Sequence, residues 1–299
     1  MMIKKRIEEL KKKLNALVIV HNYQPPGIQE LGDFCGDSLE LSRKAAGSRA
    51  EVIVFCGVDF MAQTAKILAP DRKVILPAGD ATCPMAEMIT PGELSEFKND
   101  NPGAAVVTYV NSTADVKALS DVCCTSSNAL KIVNSLSAER VIFTPDRNLA
   151  HYVSLHTEKE IIPWHGFCPV HENITVDEVA SSREKYPDAA FMAHPECRPE
   201  VLELADHIVS TGQMFEVAQK DPRKIFLLGT ETGMVYPLKK RIPGKEFIPV
   251  SSEAVCPNMK KITPQILLDS LESLSPEVTV PEKYAVPARE ALEKMLRTG

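Results

Sequence analysis

The dipeptide Cys-Pro occurs three times in the chain, at Cys83-Pro84, Cys168-Pro169 and Cys256-Pro257, and each time an Ile-Thr pair begins six residues after the cysteine. The three cysteines therefore mark one point in three copies of one unit. Intervals of 85 and 88 residues separate them, far more than the few residues between ligands in a zinc finger or a ferredoxin. Only a fold that repeats can bring them together, and a period this long dictates the whole architecture.

The repeat runs in register over some forty residues. Offsets of 88 and then 85 carry His21 onto Tyr109 and His194, Tyr23 onto Asn111 and Glu196, and Ser38 onto Ser126 and Thr211. The same offsets carry Phe55 onto Phe143 and Leu228, and Met61 onto Leu149 and Met234. Apolar runs lead into each copy: Ala16–Val20, Ala105–Thr108 and Ala190–Ala193.

Short Val- and Ile-rich runs alternating with helical patterns indicate βαβ units and parallel sheets. In the first copy the patterns predict strands near 16–20, 51–56 and 73–77, and helices near 38–46, 59–68 and 91–98. Thr90, Thr175 and Thr263 are placed to cap the last helix of each copy, with Pro91 and Pro264 at its first turn. The unit is expected to be β-α-β-α-β-α, with each cysteine in the loop after a third strand. Val278–Val280 reads as the start of a fourth first strand that closes a ring, and 286–297 as a terminal helix packed outside.

The predicted fold is α/β: three pseudo-threefold-related three-layer αβα domains, each with a small parallel sheet, around a central site. The domains are expected at 1–103 with an N-terminal helix, 104–188, and 189–299 with the terminal helix.

A chain of 299 residues that is 44% hydrophobic can bury a substantial core. Its net charge of −6, with both signs interspersed, leaves no footprint for nucleic acid or an anionic membrane. The charged N-terminus (1–13) lacks a signal-peptide core, so the expectation is a soluble, cytoplasmic protein. Eight cysteines without a CxxC then argue against a disulfide framework. Cys35, Cys56, Cys123, Cys124 and Cys197 fall in segments where a thiol serves as a small buried hydrophobe.

In parallel α/β sheets ligands bind beyond the carboxyl ends of the strands. His21, Tyr23, Tyr109, Asn111, His194 and Glu196 all follow first strands, so three such edges facing inward would enclose one pocket with the cysteines along one side. Ser38, Ser126 and Thr211 each precede a helical segment, where a helix N-terminus favours carboxylate or phosphate. Taken singly, each is also an ordinary cap.

Three thiolates are one short of a structural metal site and leave a position for substrate. Cys83, Cys168 and Cys256 would suit a 4Fe-4S cluster with one open iron, a zinc with bound water, or no metal at all if descent alone repeats them. His165 and His171 flank Cys168 as candidate supports for a metal. His151, His156 and His207 read as surface or helix residues, and Asp146-Arg147 and Glu231 as sheet-end groups.

Together, His21–Gln24, Gly36–Ser38, Gly57–Met61, Thr82–Met85, Tyr109–Ser112, Cys124–Asn128, Pro145–Leu149, Cys168–His171, His194–Cys197, Ser210–Met214, Gly229–Glu231 and Asn258–Lys261 resemble the quinolinate synthase A family over about residues 16 to 265. The resemblance implies a transferase of de novo NAD (pyridine nucleotide) biosynthesis with one oxygen-sensitive 4Fe-4S cluster per chain, held by Cys83, Cys168 and Cys256. It implies condensation of iminoaspartate (iminosuccinate) with dihydroxyacetone phosphate to quinolinate, releasing phosphate and water, with a functional link to L-aspartate oxidase or aspartate dehydrogenase.

Carried over residue by residue, the resemblance places His21, Ser38, Tyr109, Val110, Asn111, Ser126, His194, Pro195, Glu196 and Thr211 around the substrates. Glu196, Tyr23, His21, His194 and Tyr109 are the implied catalytic groups, with Glu196 and Tyr23 transferring protons. The chain has no second cysteine near Cys256, so the redox-switching dithiol of one branch of the family cannot form. Two other classes fit the bare pattern: another open-iron hydro-lyase, and a binding or redox-sensing protein.

Overall fold

The structure is a computed structural model that describes residues 2–298. Three four-stranded sheets carry the chain, and every strand pairing within them is parallel. The first holds β1 (Ala16–His21), β2 (Phe34–Gly36), β3 (Val52–Cys56) and β4 (Lys73–Ile75). The second holds β5 (Ala105–Tyr109), β6 (Val122–Cys124), β7 (Arg140–Thr144) and β8 (Glu160–Pro163). The third holds β9 (Ala190–Ala193), β10 (His207–Ile208), β11 (Ile225–Gly229) and β12 (Glu246–Pro249).

Their orders are β2-β1-β3-β4, β6-β5-β7-β8 and β10-β9-β11-β12. The chain thus moves one way from the first strand and then back across it. That reversal leaves a crevice at the carboxyl ends of each unit's first and third strands, where open α/β sheets receive ligands.

Helices cover the sheets on both faces, and the burial pattern shows why. All five residues of β3 are buried, as expected of a parallel strand packed on both sides. In the third sheet the alternation is explicit. Phe191, Ala193 and Leu227 join one apolar cluster, while Ala190, Met192, Phe226 and Leu228 join another. Side chains of period two feed two layers from the same strands. A fully buried phenylalanine such as Phe191 or Phe226 contributes about 1.5–3 kcal/mol.

The sheets also correct the three-strand expectation. Each unit has a second strand of two or three residues, too short for a periodic signal, so the cysteine loops follow the fourth strands. The anticipated first-copy helices occur at Ser38–Ala46, Asp59–Leu68 and Pro91–Asp100. Thr90, Thr175 and Thr263 accept the amides of Glu93, Glu178 and Ile266 as N-caps.

The end of the chain differs more. Val278–Val280 forms no strand of a fourth unit. Instead Val278 N donates to Val74 O at 2.8 Å and Glu277 makes an antiparallel bridge to Ile75, so the segment returns to the edge of the first sheet. The last helix begins earlier than predicted, at Glu282, and runs to Thr298. It buries Ala288, Ala291, Leu292 and Met295 in the core shared by the first and second units, and Arg289 and Lys294 bond to the carbonyls of Ile67 and Asp121. Among the described residues no helix is long and apolar enough to cross a membrane.

Candidate active site

The three crevices open on one central cavity of about 70 Å³. Each unit supplies four of the anticipated residues to its wall. These are His21, Tyr23, Ser38 and Cys83 from the first, Tyr109, Asn111, Ser126 and Cys168 from the second, and His194, Glu196, Thr211 and Cys256 from the third. Val110 and Pro195 are buried but outside that wall, and Val110 N bonds back to Cys124 O at 2.9 Å.

The strand ends repeat a local device. Tyr23 N donates to His21 Nδ1 at 3.2 Å, and Glu196 N donates to His194 Nδ1 at 3.4 Å. An Nδ1 that accepts carries no proton, which leaves Nε2–H as the donor. Burial pushes both imidazoles down to about 3, so at neutral pH they are uncharged hydrogen-bond donors.

Glu196 lies at the meeting of two units. His171 Nδ1 stands 2.7 Å from its Oε2 and Asn111 Nδ2 3.5 Å from its Oε1, and the Tyr109 hydroxyl donates to it. Burial opposes its ionisation, but the His171 and His194 rings and these hydrogen bonds outweigh it and hold the carboxyl below its ordinary range. The result is a buried carboxylate kept charged. His171 stacks on His194 at 4.7 Å between ring centres. Asn111 Oδ1 has no hydrogen-bond partner among the described residues, an acceptor left for a ligand.

Opposite signs meet at the helix ends. Asp37 caps the helix from Ser38 through a reciprocal bond with Glu40, and Ser210 caps Thr211–Lys220 with Gln213. Ser38 and Thr211 are therefore the first helical residues and line the cavity, rather than serving as caps. Ser126 precedes Asn128, the residue before the helix Ala129–Ser135. A Cβ on Gly212 would lie 2.4 Å from Asp37 Oδ2, so a larger residue there would push the Asp37 carboxyl aside.

Three of the eight cysteines, Cys83, Cys168 and Cys256, line the cavity, and the other five do not. As bare thiols all three are pushed up by burial, Cys83 to about 12, so it is a cation that would make them thiolates. By contrast, Cys197 and Cys35 direct Sγ at the oxygens of Gly229 and of Asn22 and Gln29, as thiol donors do. Three thiols on one wall are a donor set that soft metals, iron–sulfur clusters included, accept. Cys168, His171 and Glu196 also place one ligand atom each within 4.8 Å of one another.

Two flanking residues of Cys168 part company. His171 is buried with Nδ1 3.2 Å from the Cys168 sulfur, as expected of a supporting group. His165 is exposed and packs on Trp164 at 4.4 Å, so it supports no site. Asp37, Phe60 and Met259 also line the cavity; each lies inside a motif that carried the resemblance, which gave it no role of its own.

Three converging α/β units that enclose a cysteine-lined, histidine- and carboxylate-bearing cavity at their strand ends have the arrangement of an enzyme active site. The family model described as "Quinolinate synthetase A protein" matches residues 5–297, and the chain belongs to that family. It is 52% identical over 295 residues to a quinolinate synthase of Methanoregula boonei, covering 99% of this chain and 98% of that one. To that of Geotalea uraniireducens it is 51% identical over 294 residues, 98% and 97%. To that of Methanosarcina barkeri it is 52% identical over 291 residues, 97% and 96%.

Proposed function

We propose that this chain is a quinolinate synthase of NAD biosynthesis. It condenses iminoaspartate with dihydroxyacetone phosphate to quinolinate, releasing one phosphate and two waters, with a 4Fe-4S cluster on Cys83, Cys168 and Cys256. The observation that carries the reading is the meeting of one cysteine from each unit with Glu196 on one cavity. When bound, the cluster supplies an iron without a protein ligand, a Lewis acid for the loss of hydroxide.

The chain's own residues do the rest. Ser38, Ser126 and Thr211 present hydroxyls beside helix starts, where carboxylate or phosphate is held. The neutral Nε2–H groups of His21 and His194 donate to substrate oxygens without adding charge. Glu196, ionised and dry, is the base that removes protons from substrate carbon, and Tyr23 supplies a proton to a departing oxygen. Closure of the site by three units excludes water from a labile imine, which L-aspartate oxidase or aspartate dehydrogenase would supply in the cytoplasm.

Anaerobically reconstituted protein given both substrates is expected to form quinolinate. No product from protein with an intact cluster would favour a different hydro-lyase. Glu196→Gln separates an enzyme from a sensor: turnover falls while the cluster's visible absorption remains. The Cys168, His171 and Glu196 group supports a second reading, a single metal ion at that place. It predicts that Cys83→Ser and Cys256→Ser keep the metal.

A further inference from the structure

Among the described residues, the cavity wall carries three acids, Asp37, Glu196 and Glu231, and no lysine or arginine. Two of the acids have a partner close by: Glu196 lies against His171 and Glu231 against Lys260. Asp37 is placed differently. Its Oδ1 takes the Glu40 amide at 2.9 Å, and the cations of its own helix, Arg43 and Lys44, lie in the last turn at the far end.

The repeat makes Asp37 an exception. The offsets that superpose Ser38, Ser126 and Thr211 put Thr125 and Ser210 where Asp37 stands. Uncharged Ser210 caps its helix with the same reciprocal bond to the residue three further on, so capping does not call for a charge here. Asp37 nevertheless sits directly before the Ser38 hydroxyl, with Oδ2 against Gly212 at the start of Thr211–Lys220. The first turn of that helix holds no acid. An ionised carboxyl between two helix starts opposes any anion that they receive.

Burial pushes the Asp37 carboxyl up to about 6; the Glu40 amide and Arg43 pull it down, and the Glu40 carboxylate pushes it up. An anion arriving beside it acts in the same direction as burial. The elements packed on Ser38–Ala46 carry His21, Cys35, Asp59 and Lys66 as their ionisable groups. Of these only His21 shares the cavity wall with Asp37, and burial pushes its imidazole down to about 3.

We propose that Asp37 is the proton-linked member of the anion site: an anionic ligand enters together with one proton, which Asp37 takes from solvent and holds while the site is filled. The proposal rests on the reading of the helix starts as the carboxylate- or phosphate-binding part of a quinolinate synthase. The proton goes to a carboxylate oxygen of Asp37, and no bond of the ligand changes. Affinity is therefore highest where the free protein already carries that proton and falls as pH rises above its pKa.

The test measures quinolinate binding to the anaerobically reconstituted full-length protein by calorimetry at pH 6, 7 and 8, in buffers of different ionisation enthalpy. The carboxyls of this probe are ionised throughout that range. In the parent, Kd is expected to rise roughly 3- to 10-fold per pH unit, with close to one proton taken up at pH 8. Asp37→Asn and Asp37→Ser, both neutral and both able to cap, are expected to bind with an affinity that changes little with pH and exceeds the parent's at pH 8. Titration of His171, Glu196, Glu231 or the cysteines persists in both variants, so the comparison isolates Asp37. A flat profile in the parent, or the same slope and proton uptake in parent and variants, overturns the proposal and leaves the functional reading standing. A parent that binds no quinolinate at any of these pH values ends both.

Discussion

Asp146 and Glu231 stand at the same point of the repeat, 85 residues apart, and only the second braces its unit's cavity cysteine: the amide of Cys256 donates to Glu231 Oε1 at 3.2 Å, whereas Asp146 Oδ1 accepts the amide of Leu149 at 2.7 Å. Val58 takes this place in the first unit. Both side chains are at most 1% exposed, so the Cys256 loop is braced from beneath by a buried acid.

Glu231 also holds Lys260 at 2.8 Å and the amide of Gly233 at 2.7 Å, while Lys260 donates to the carbonyl of Tyr23. Glu231→Gln keeps the volume and weakens all of these. It is expected to cost about 1–3 kcal/mol of stability and to lower iron retention roughly 10-fold or more. Thermal melts and iron per chain after desalting check both. Full retention would show that the brace does not reach the cysteine.

Cys83→Ser, Cys168→Ser and Cys256→Ser are each expected to abolish the broad visible absorption of the reconstituted protein. The same change at Cys35 or Cys197 should leave it, because neither lines the cavity and each is engaged as a thiol donor. Absorbance and sulfide content decide.

Burial pushes Asp37 up to about 6, above its unfolded value of about 3.8. A carboxyl whose folded pKa is raised holds its proton more tightly when folded, so ionising it costs stability above pH 6 and the cost fades as pH falls toward 4. Asparagine caps helices as well as aspartate. Asp37→Asn is therefore expected to stabilise by about 1–3 kcal/mol at pH 7.5 and by nothing near pH 4. Denaturant titrations at the two pH values measure the difference, and an effect equal at both would refute it.

Ser38→Ala and Thr211→Ala remove hydroxyls from cavity-facing helix starts. If these bind substrate uniformly, KM rises several-fold while kcat changes little. Steady-state kinetics at saturating and limiting substrate separate the outcomes. A fall in kcat instead would place the hydroxyls' action in the transition state.

The triplication, its parallel sheets and the helix caps at Thr90, Thr175 and Thr263 could be read from the sequence, because each leaves a local or periodic mark. The short strand Phe34–Gly36 left none, since three residues hold no period. Its omission, with that of its counterparts Val122–Cys124 and His207–Ile208, displaced every cysteine loop by one strand. Val278–Val280 misled for a related reason: its composition suits a strand, but composition does not say which edge receives it.

The sequence by itself determined that Cys83, Cys168 and Cys256 are equivalent, because equal positions in equal units are a property of order along the chain. Only the tertiary structure decided that Tyr23, His171 and Thr230 share one hydroxyl. Those residues come from three different units and from non-equivalent positions. A contact of that kind is set by how packed surfaces meet, which no repeat or spacing encodes.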